Sequence, residues 1–245
     1  MSDKRHSPTA SYLVCATPRS GSSLLTGLLK SSGVAGRPEE YFWRDDEAFW
    51  SGRWGTSTFP DYLHGALAEG TTPNGVFAAK VMWGYLDDLL GKLAALPSSS
   101  GPDDYQLLRR AFPALQFVFL WREDVVAQAV SLARAHQTNV WYRKEDSSPE
   151  VEASYDFGLI DGLLRMVTDH NTAWRRWFHD HEIEPCVVRY EDLCTDPAGA
   201  TMRVLAFLGI DAASAQPIGA QTARQRDALN TEWIARYRAE LAPPG

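Results

Sequence analysis

Arginine, glycine and serine residues that could hold an anion stand together near the amino end of the chain. Positions 17–23 read Thr-Pro-Arg-Ser-Gly-Ser-Ser, after the apolar run 12–16 and before leucines at helical spacing. A buried strand that bends here into a helix directs backbone N–H groups and the amino terminus of the helix at one point. The alternative is an ordinary strand-to-helix turn whose serines only cap the helix. We predict an anion-binding loop made by Arg19, Ser20, Gly21, Ser22 and Ser23.

This loop differs from the one that binds nucleoside triphosphates. The pattern G-x-x-x-x-G-K-[ST] needs a first glycine and a lysine, and this chain has neither at the corresponding positions. The difference disfavours an ordinary NTPase, although it leaves open another phosphate-bearing ligand.

Two more cations lie in or directly after predicted strands. Lys80 lies inside the apolar run 75–83, and Arg122 directly follows the run 115–121. A fourth run covers 185–190, and helical patterns cover 124–136, 158–181, 198–208 and 226–241. This order is typical of an α/β protein with a parallel sheet. Because the carboxyl ends of parallel strands meet at one edge, we expect the chemistry to lie there.

A second anion position is predicted beside the third strand. Arg122 stands at the end of this strand, and Ser131 follows nine residues later on the predicted helix. A phosphate held between the two is one interpretation. A surface ion pair of Arg122 with Glu123 or Asp124 is the other.

Composition bounds the class of protein. The 245 residues are 44% hydrophobic and 22% charged, which fits one globular domain over residues 1–245, with residues 1–10 expected as a disordered tail. The formal net charge of -7 argues against general binding to nucleic acid or anionic membranes. The sequence contains no membrane-length apolar run and no signal-peptide core, so we expect a cytoplasmic protein. The three cysteines and six histidines lack the spacing of a disulfide framework or a zinc site.

Five segments of the chain resemble a known family. They are TPRSGSSLL, GVAGRPEEYF, LWREDVVAQAVS, RYEDL at 189–193 and FLGI at 207–210. Together they resemble the Stf0-type bacterial sulfotransferases, and they are spread over most of the chain. The resemblance implies a P-loop NTPase-like α/β fold with a central parallel sheet flanked by helices. It also implies transfer of a sulfuryl group from 3′-phosphoadenosine 5′-phosphosulfate (PAPS) to a hydroxyl, with 3′-phosphoadenosine 5′-phosphate (PAP) as product and no metal.

The resemblance also assigns the two anion positions. The loop 19–23 would hold the 5′-phosphosulfate, and Arg122 with Ser131 would hold the 3′-phosphate that distinguishes PAPS from ATP. Tyr190 and Leu193 would pack beneath the nucleotide. A segment near the carboxyl end closes over the nucleotide in the family, and the candidates here are Arg224, Arg226 and Trp233. The alternative for these three is a solvent-facing basic helix start and a tryptophan in the core.

Glu40 is the predicted general base. In the family, the second acidic residue of the motif before two aromatics takes the proton, and Glu40 holds that position in GRPEEYF at 36–42. Proton transfer to such a base contributes about 10²–10⁴-fold to a rate. Arg19 and Lys80 would stabilise the charge that develops on the transferred group and the leaving phosphate. Glu39 is the rival base, and a solvated carboxylate is its other interpretation.

The acceptor site is predicted from this motif and from the eight aromatic residues in 41–62. Rings interleaved with charges are typical of sugar sites, but also of an aromatic lid or a dimer surface. The predicted substrate-binding residues are Arg37, Pro38, Glu39, Glu40, Tyr41, Phe42 and Trp54. The trehalose-sulfating members of the family have a glutamine where this chain has Pro18 and an acidic residue where it has Arg37. We therefore expect another sugar, a glycolipid or another small hydroxylated metabolite as the acceptor.

Two other function classes stay open. An ATP-dependent small-molecule kinase would need Mg²⁺, and the missing lysine argues against it. A catalytically silent nucleotide-binding protein would keep the anion loop but need no base, so Glu40 argues against it. Members of the family pair as homodimers, and the aromatic residues would allow a homodimer here.

Overall fold

A parallel sheet of four strands lies at the centre of the computed structural model, which describes residues 7–97, 103–141, 152–216 and 228–242. The strand order is β2-β1-β3-β4. The strands are β1 (Ala10–Ala16), β2 (Val76–Met82), β3 (Leu115–Trp121) and β4 (Cys186–Arg189). All four predicted strands are confirmed. Thr9 and Ala10, which we counted with the tail, donate backbone hydrogen bonds to Gly75 at the start of the sheet.

Ten α-helices flank the sheet within the described part of the chain. They are α1 (Ser22–Ser31), α2 (Glu47–Trp54), α3 (Phe59–Gly70), α4 (Trp83–Ala94), α5 (Asp104–Ala111), α6 (Val125–Thr138), α7 (Phe157–Asp180), α8 (Tyr190–Thr195), α9 (Pro197–Phe207) and α10 (Ala228–Leu241). The predicted helices correspond to α1, α6, α7, α9 and α10. Together with the parallel sheet, these helices confirm the predicted α/β fold class.

Side chains alternate between the two faces of the sheet along each strand, and both faces are buried along most of β1, β2 and β3. Leu13, Phe77 and Phe117 face the layer formed by α3, α4, α5 and α7. Tyr12 and Val118 face α1, α8 and α9 on the other side. Burial on two faces explains why these strands are continuous apolar runs in the sequence. A further apolar cluster joins α6, α7 and α10.

Aspartates begin three of the predicted helices. Asp124, Asp156 and Asp196 accept backbone N–H bonds at the first turns of α6, α7 and α9, at 3.0, 2.9 and 2.8 Å. Such caps satisfy N–H groups that have no partner inside the helix. The Asp124 cap fixes the start of α6 at Val125, shortly after Arg122 and the end of β3.

The part of the chain that the structure describes contains no helix with the length and apolar character needed to cross a bilayer. Within those same residues, no group of three or more His, Cys, Asp or Glu side chains could hold a metal ion. All three cysteines are free thiols, and burial raises the pKa of the Cys15 thiol.

Candidate functional site

The loop between β1 and α1 begins with a tight turn. The N–H of Ser20 donates to the carbonyl of Thr17 at 3.3 Å, so Pro18 and Arg19 occupy the two central positions. Arg19 has a φ of 62°. Proline at the second position and a positive φ at the third are the marks of a type II turn. Because an L-residue in this region costs about 1–2 kcal/mol, surrounding contacts must hold the turn in place.

The amino terminus of α1 follows this turn. Gly21, with a φ of 94°, is the residue that precedes the helix, and no side chain among the described residues caps it. The first N–H groups of a helix need an acceptor, and a bound anion supplies one. Ser22 is almost fully buried at this end. The predicted anion loop therefore offers backbone donors at the start of α1, where the hydroxyls of Ser22 and Ser23 also lie.

Two side chains of the loop bond inside the protein. The hydroxyl of Ser20 is fully buried and donates to the carbonyl of Thr17 at 2.7 Å, so it closes the turn. Nε of Arg19 donates to the hydroxyl of Ser131 on α6 at 3.0 Å, and its Nη1 donates to the carbonyl of Trp141, beyond the end of α6, at 2.6 Å. The structure thus joins Ser131 to Arg19, whereas the sequence analysis joined it to Arg122.

Arg122 lies beside the same loop, on the ring of Tyr190. Its guanidinium carbon is 4.5 Å from the centre of that ring. The ring in turn covers Gly21, because a Cβ added to this glycine would lie 2.4 Å from Cδ2 of Tyr190. Gly21, Tyr190 and Arg122 therefore form one continuous stack at the carboxyl edge of the sheet.

The charge of Arg122 is only partly compensated. Its Nε is buried and has no hydrogen-bond partner in the described part of the protein, and burial lowers the pKa of the guanidinium. The neighbouring carboxylates that we considered as partners bind elsewhere, Glu123 to Arg189 at 3.3 Å and Asp124 to Arg238 at 2.9 Å. A half-buried cation whose buried Nε has an unused N–H fits an anionic ligand.

Glu40 lies on the other side of β1, next to β2. Its Oε2 is 2.9 Å from Nζ of Lys80, and the two side chains are 16% and 5% exposed. The hydroxyl of Tyr85 lies 3.3 Å from Oε1 of Glu40 and 3.1 Å from the carbonyl of Lys80. Burial and the charge of Glu40 raise the pKa of Tyr85 well above its usual range, so this hydroxyl stays a donor. The carboxylate is therefore fixed by two partners yet remains partly accessible.

The backbone before Glu40 joins the sheet. Glu39 pairs with Ala79 as an isolated parallel bridge, and its carbonyl accepts the N–H of Lys80 at 2.8 Å. The carboxylate of Glu39 forms an ion pair with Lys30 of α1. Glu39 is thus engaged with another helix, and Glu40 is the better placed of the two as a base.

The other predicted substrate residues take structural positions. Nη1 of Arg37 donates to the carbonyls of Glu69 and Thr71 at 2.9 and 3.0 Å, at the end of α3. Pro38 is buried, and so are the two aromatic rings of the motif. Tyr41 and Phe42, at 0% and 2% exposed, lie in the core cluster, and Trp54 stacks on Trp50 with ring centres 5.0 Å apart. These contacts favour a packing role over contact with a substrate.

Of the three carboxyl-terminal candidates, the structure describes only Trp233. Trp233 is 3% exposed on α10 and packs edge-on against Tyr155. This burial favours the core interpretation of the tryptophan. Arg224 and Arg226 lie outside the described residues.

Three residues near these positions were missed by the sequence analysis: Tyr85, Gln128 and Asn171. Gln128 is fully buried, and Asn171 is 3% exposed. The sequence signal for Gln128 and Asn171 was a polar residue on the apolar face of a predicted helix. Such a residue needs a buried hydrogen-bond partner.

The chain is similar to known proteins along nearly its whole length. Residues 11–240 match the model of the family described as Stf0 sulphotransferase. The trehalose 2-sulfotransferase of Mycobacterium tuberculosis is 34% identical over 94% of both chains, and that of Mycolicibacterium smegmatis is 33% identical over 97% of both. A solved sulfotransferase from Alicyclobacillus acidocaldarius superposes with a TM-score of 0.51 at 16% identity, over 95% of this chain and 92% of that one, and it supports the fold. Because the matches run along nearly the whole sequence, the chain belongs to the Stf0 sulphotransferase family.

Proposed function

We propose that this protein transfers a sulfuryl group from PAPS to a hydroxyl of a sugar or a sugar-bearing metabolite. Family membership supports sulfuryl transfer. The observation that carries the donor assignment is the buried Nε of Arg122, unpartnered among the described residues, in a stack that continues to Gly21. A nucleotide with phosphates at both ends needs two anion positions, and these are the backbone loop and Arg122.

Each end of such a donor has its own binding position. The uncapped amino terminus of α1 would take the 5′ side, and Arg122 would take the 3′-phosphate. PAPS supplies the activated sulfuryl group when it is bound. Arg19 reaches α6 through Ser131, and it adds a positive charge beside the loop. Fixed donors and cations of this kind stabilise charge that develops on a leaving phosphate.

Glu40 would take the proton of the acceptor hydroxyl. A general base must reach the hydroxyl with an accessible oxygen, and Glu40 keeps 16% of its side chain exposed. Lys80, at 2.9 Å, holds and balances the carboxylate in the resting site. Tyr85 fixes the other oxygen. We assign Lys80 to the positioning of Glu40, in addition to the charge-stabilising role proposed from the sequence.

A carbohydrate is the proposed acceptor class. Two relatives that match nearly the whole chain are trehalose 2-sulfotransferases, which favours a sugar. Arg37 binds main-chain carbonyls here, so its difference from the trehalose-sulfating pattern bears less on the acceptor than Pro18 does. Trehalose is therefore the reference compound in an acceptor panel, together with other disaccharides and glycolipids.

Metal-free calorimetric titration with PAP, compared with ATP and Mg²⁺, tests the donor. We expect PAP to bind and ATP with Mg²⁺ to bind far more weakly. Preference for ATP with Mg²⁺ would replace the proposal with the kinase alternative. Binding of neither nucleotide would refute the donor proposal. If PAP binds, sulfate transfer from PAPS to the acceptor panel identifies the substrate.

A further inference from the structure

Gln128 of α6 is a fully buried polar residue that belongs to neither anion position. Its Nε2 donates to the carbonyl of Pro18 at 2.7 Å and to the hydroxyl of Thr17 at 2.8 Å. Both acceptors lie in the turn that leads to Arg19. The amide thus contacts the donor loop from beneath, on the side away from solvent.

The peptide that joins Pro18 to Arg19 is the one that distinguishes the two common turn types. Between type I and type II this peptide is rotated by roughly 180°, and only type II puts the third residue at positive φ. Arg19 has a φ of 62°. In a trans peptide the C=O and the following N–H point in opposite directions. A hydrogen bond to the Pro18 carbonyl therefore also sets the direction of the N–H of Arg19.

Helix α7 supports the same turn from a second position. The hydroxyl of Thr17 donates to Oδ1 of Asn171 at 3.2 Å, and Nε1 of Trp174 donates to the carbonyl of Ala16 at 3.0 Å. Thr17, Asn171 and Trp174 are 0%, 3% and 1% exposed. Buried side chains of this kind can affect a bound nucleotide only through the backbone that they hold.

We propose that Gln128 is a positioning residue that selects the type II form of the donor loop and so directs its backbone donors toward the 5′ side of the nucleotide. The proposal rests on the proposed function, because it assumes that PAP and PAPS occupy this loop. Without the amide, the turn is free to adopt the type I form. Arg19 would then leave the left-handed region, and its N–H would point away from the site.

The test is Gln128→Met, which keeps the length of the side chain and removes its N–H donors. Calorimetry with PAP and with adenosine 3′-monophosphate separates the two ends of the site, because the second compound lacks the 5′-phosphate. We expect about tenfold weaker binding of PAP, which is about 1.4 kcal/mol. Binding of adenosine 3′-monophosphate should change by less than about twofold, since Arg122 is untouched.

Gln116→Met is the matched control. Gln116 also donates from its Nε2 to a main-chain carbonyl, that of Phe207 at 3.4 Å, but it lies near the amino end of β3. Both nucleotides should bind this variant as they bind the wild type. Equal loss of both nucleotides in Gln128→Met would indicate general loosening and overturn the proposal, and so would unchanged PAP binding. Failure of the wild type to bind PAP would instead refute the proposed donor.

Thr17→Val is the second variant, and it tests the proposed positioning role if Gln128→Met does not fold. It keeps the branched shape and removes the hydroxyl that links Gln128 to Asn171. We expect the same selective loss for PAP, of smaller size. In the double variant the two losses should be less than additive, because the residues act through one turn. Full additivity, or a loss of equal size for both nucleotides, would contradict the proposal.

Discussion

The donor loop and the segment 37–54 use their residues in opposite ways. In the loop, Ser20 and Arg19 bond inside the protein, and the uncapped start of α1 offers backbone N–H donors to a ligand. In the segment, Tyr41 and Phe42 are buried in the core, Trp50 and Trp54 pack partly buried against it, and Glu40 is the side chain held at the site. The loop motif thus determines the shape of the backbone, whereas the segment holds one carboxylate, that of Glu40, beside packed aromatic residues. Substitutions should therefore act through geometry in the first region and through chemistry in the second.

Glu40→Gln should give the largest effect and would sharpen this comparison most. The amide keeps the shape of the side chain but cannot take a proton, so we expect kcat to fall by about 10²–10⁴-fold. PAP affinity should stay within about twofold, because the donor position is formed by other residues. Turnover with saturating PAPS and calorimetry with PAP measure the two quantities.

Glu39→Gln is the control for this experiment. Glu39 pairs with Lys30, so its loss should affect kcat by only a few-fold. If Glu39→Gln were the inactive variant, or if Glu40→Gln kept more than a tenth of the activity, the assignment of the base would be wrong.

Arg122→Met should give the next largest effect. Loss of a charged hydrogen-bond donor is worth about 1.5–3 kcal/mol, so PAP should bind roughly 10- to 100-fold more weakly. The apo protein should not lose stability, because a half-buried charge with a buried, unused donor is removed. Calorimetry and thermal unfolding check the two results. Arg109→Met removes a guanidinium that lies over Tyr105 on α5 and should leave PAP binding unchanged. A fall in stability without a loss of PAP affinity would assign Arg122 to the scaffold.

Gly21→Ala tests whether the loop acts through its shape. The added methyl group would meet the ring of Tyr190, and alanine is strained at a φ of 94°. We expect both a lower melting temperature and PAP binding weakened by about five- to thirtyfold, from a cost of about 1–2 kcal/mol. Gly27→Ala on α1 is the comparison, since its Cβ would meet nothing within 4 Å and alanine favours a helix. Equal behaviour of the two variants would refute the role of loop shape.

Arg37→Met should give the smallest effect on catalysis. The guanidinium bonds two carbonyls after α3, so its loss should lower stability by about 1–2 kcal/mol, or a few degrees of melting temperature. The KM for the acceptor should stay within about twofold. A rise of more than fivefold in that KM would place Arg37 at the acceptor after all and weaken the contrast between the two regions.

The sequence predicts β1, β2 and β3 well because they are buried on both faces. It predicts α6, α7 and α9 well because each begins at an aspartate cap. Other elements give weaker signals. Helix α4 starts directly after β2 and has no side-chain cap, so no polar residue marks its beginning. Helix α2 has no buried residue and therefore lacks an apolar stripe. Its aromatic residues suggest a binding surface as readily as a packed insertion.

The candidate site is predictable where the strand ends determine it. Arg122 and the loop come together because both follow parallel strands, and the stack through Tyr190 agrees with this expectation. The partner of Ser131 is not predictable in that way, because it depends on where a long arginine side chain extends. Burial of Tyr41 and Phe42 depends on α2 and α3 folding over them, which residue types alone do not reveal. Gln128 could be recognised as a site residue only from its contact with Pro18 in the structure.

The pairing of Glu39 with Ala79 has a consequence for substrate selection. Because the segment before Glu40 is joined to the sheet, the proposed base moves with the core and does not follow a lid. An acceptor must therefore bring its hydroxyl to a fixed oxygen, and an error of about 1 Å in that approach can cost 10²-fold in rate. Sugars that differ only in the orientation of one hydroxyl can bind with similar affinity in such a site. Discrimination among them would then appear in kcat more than in KM.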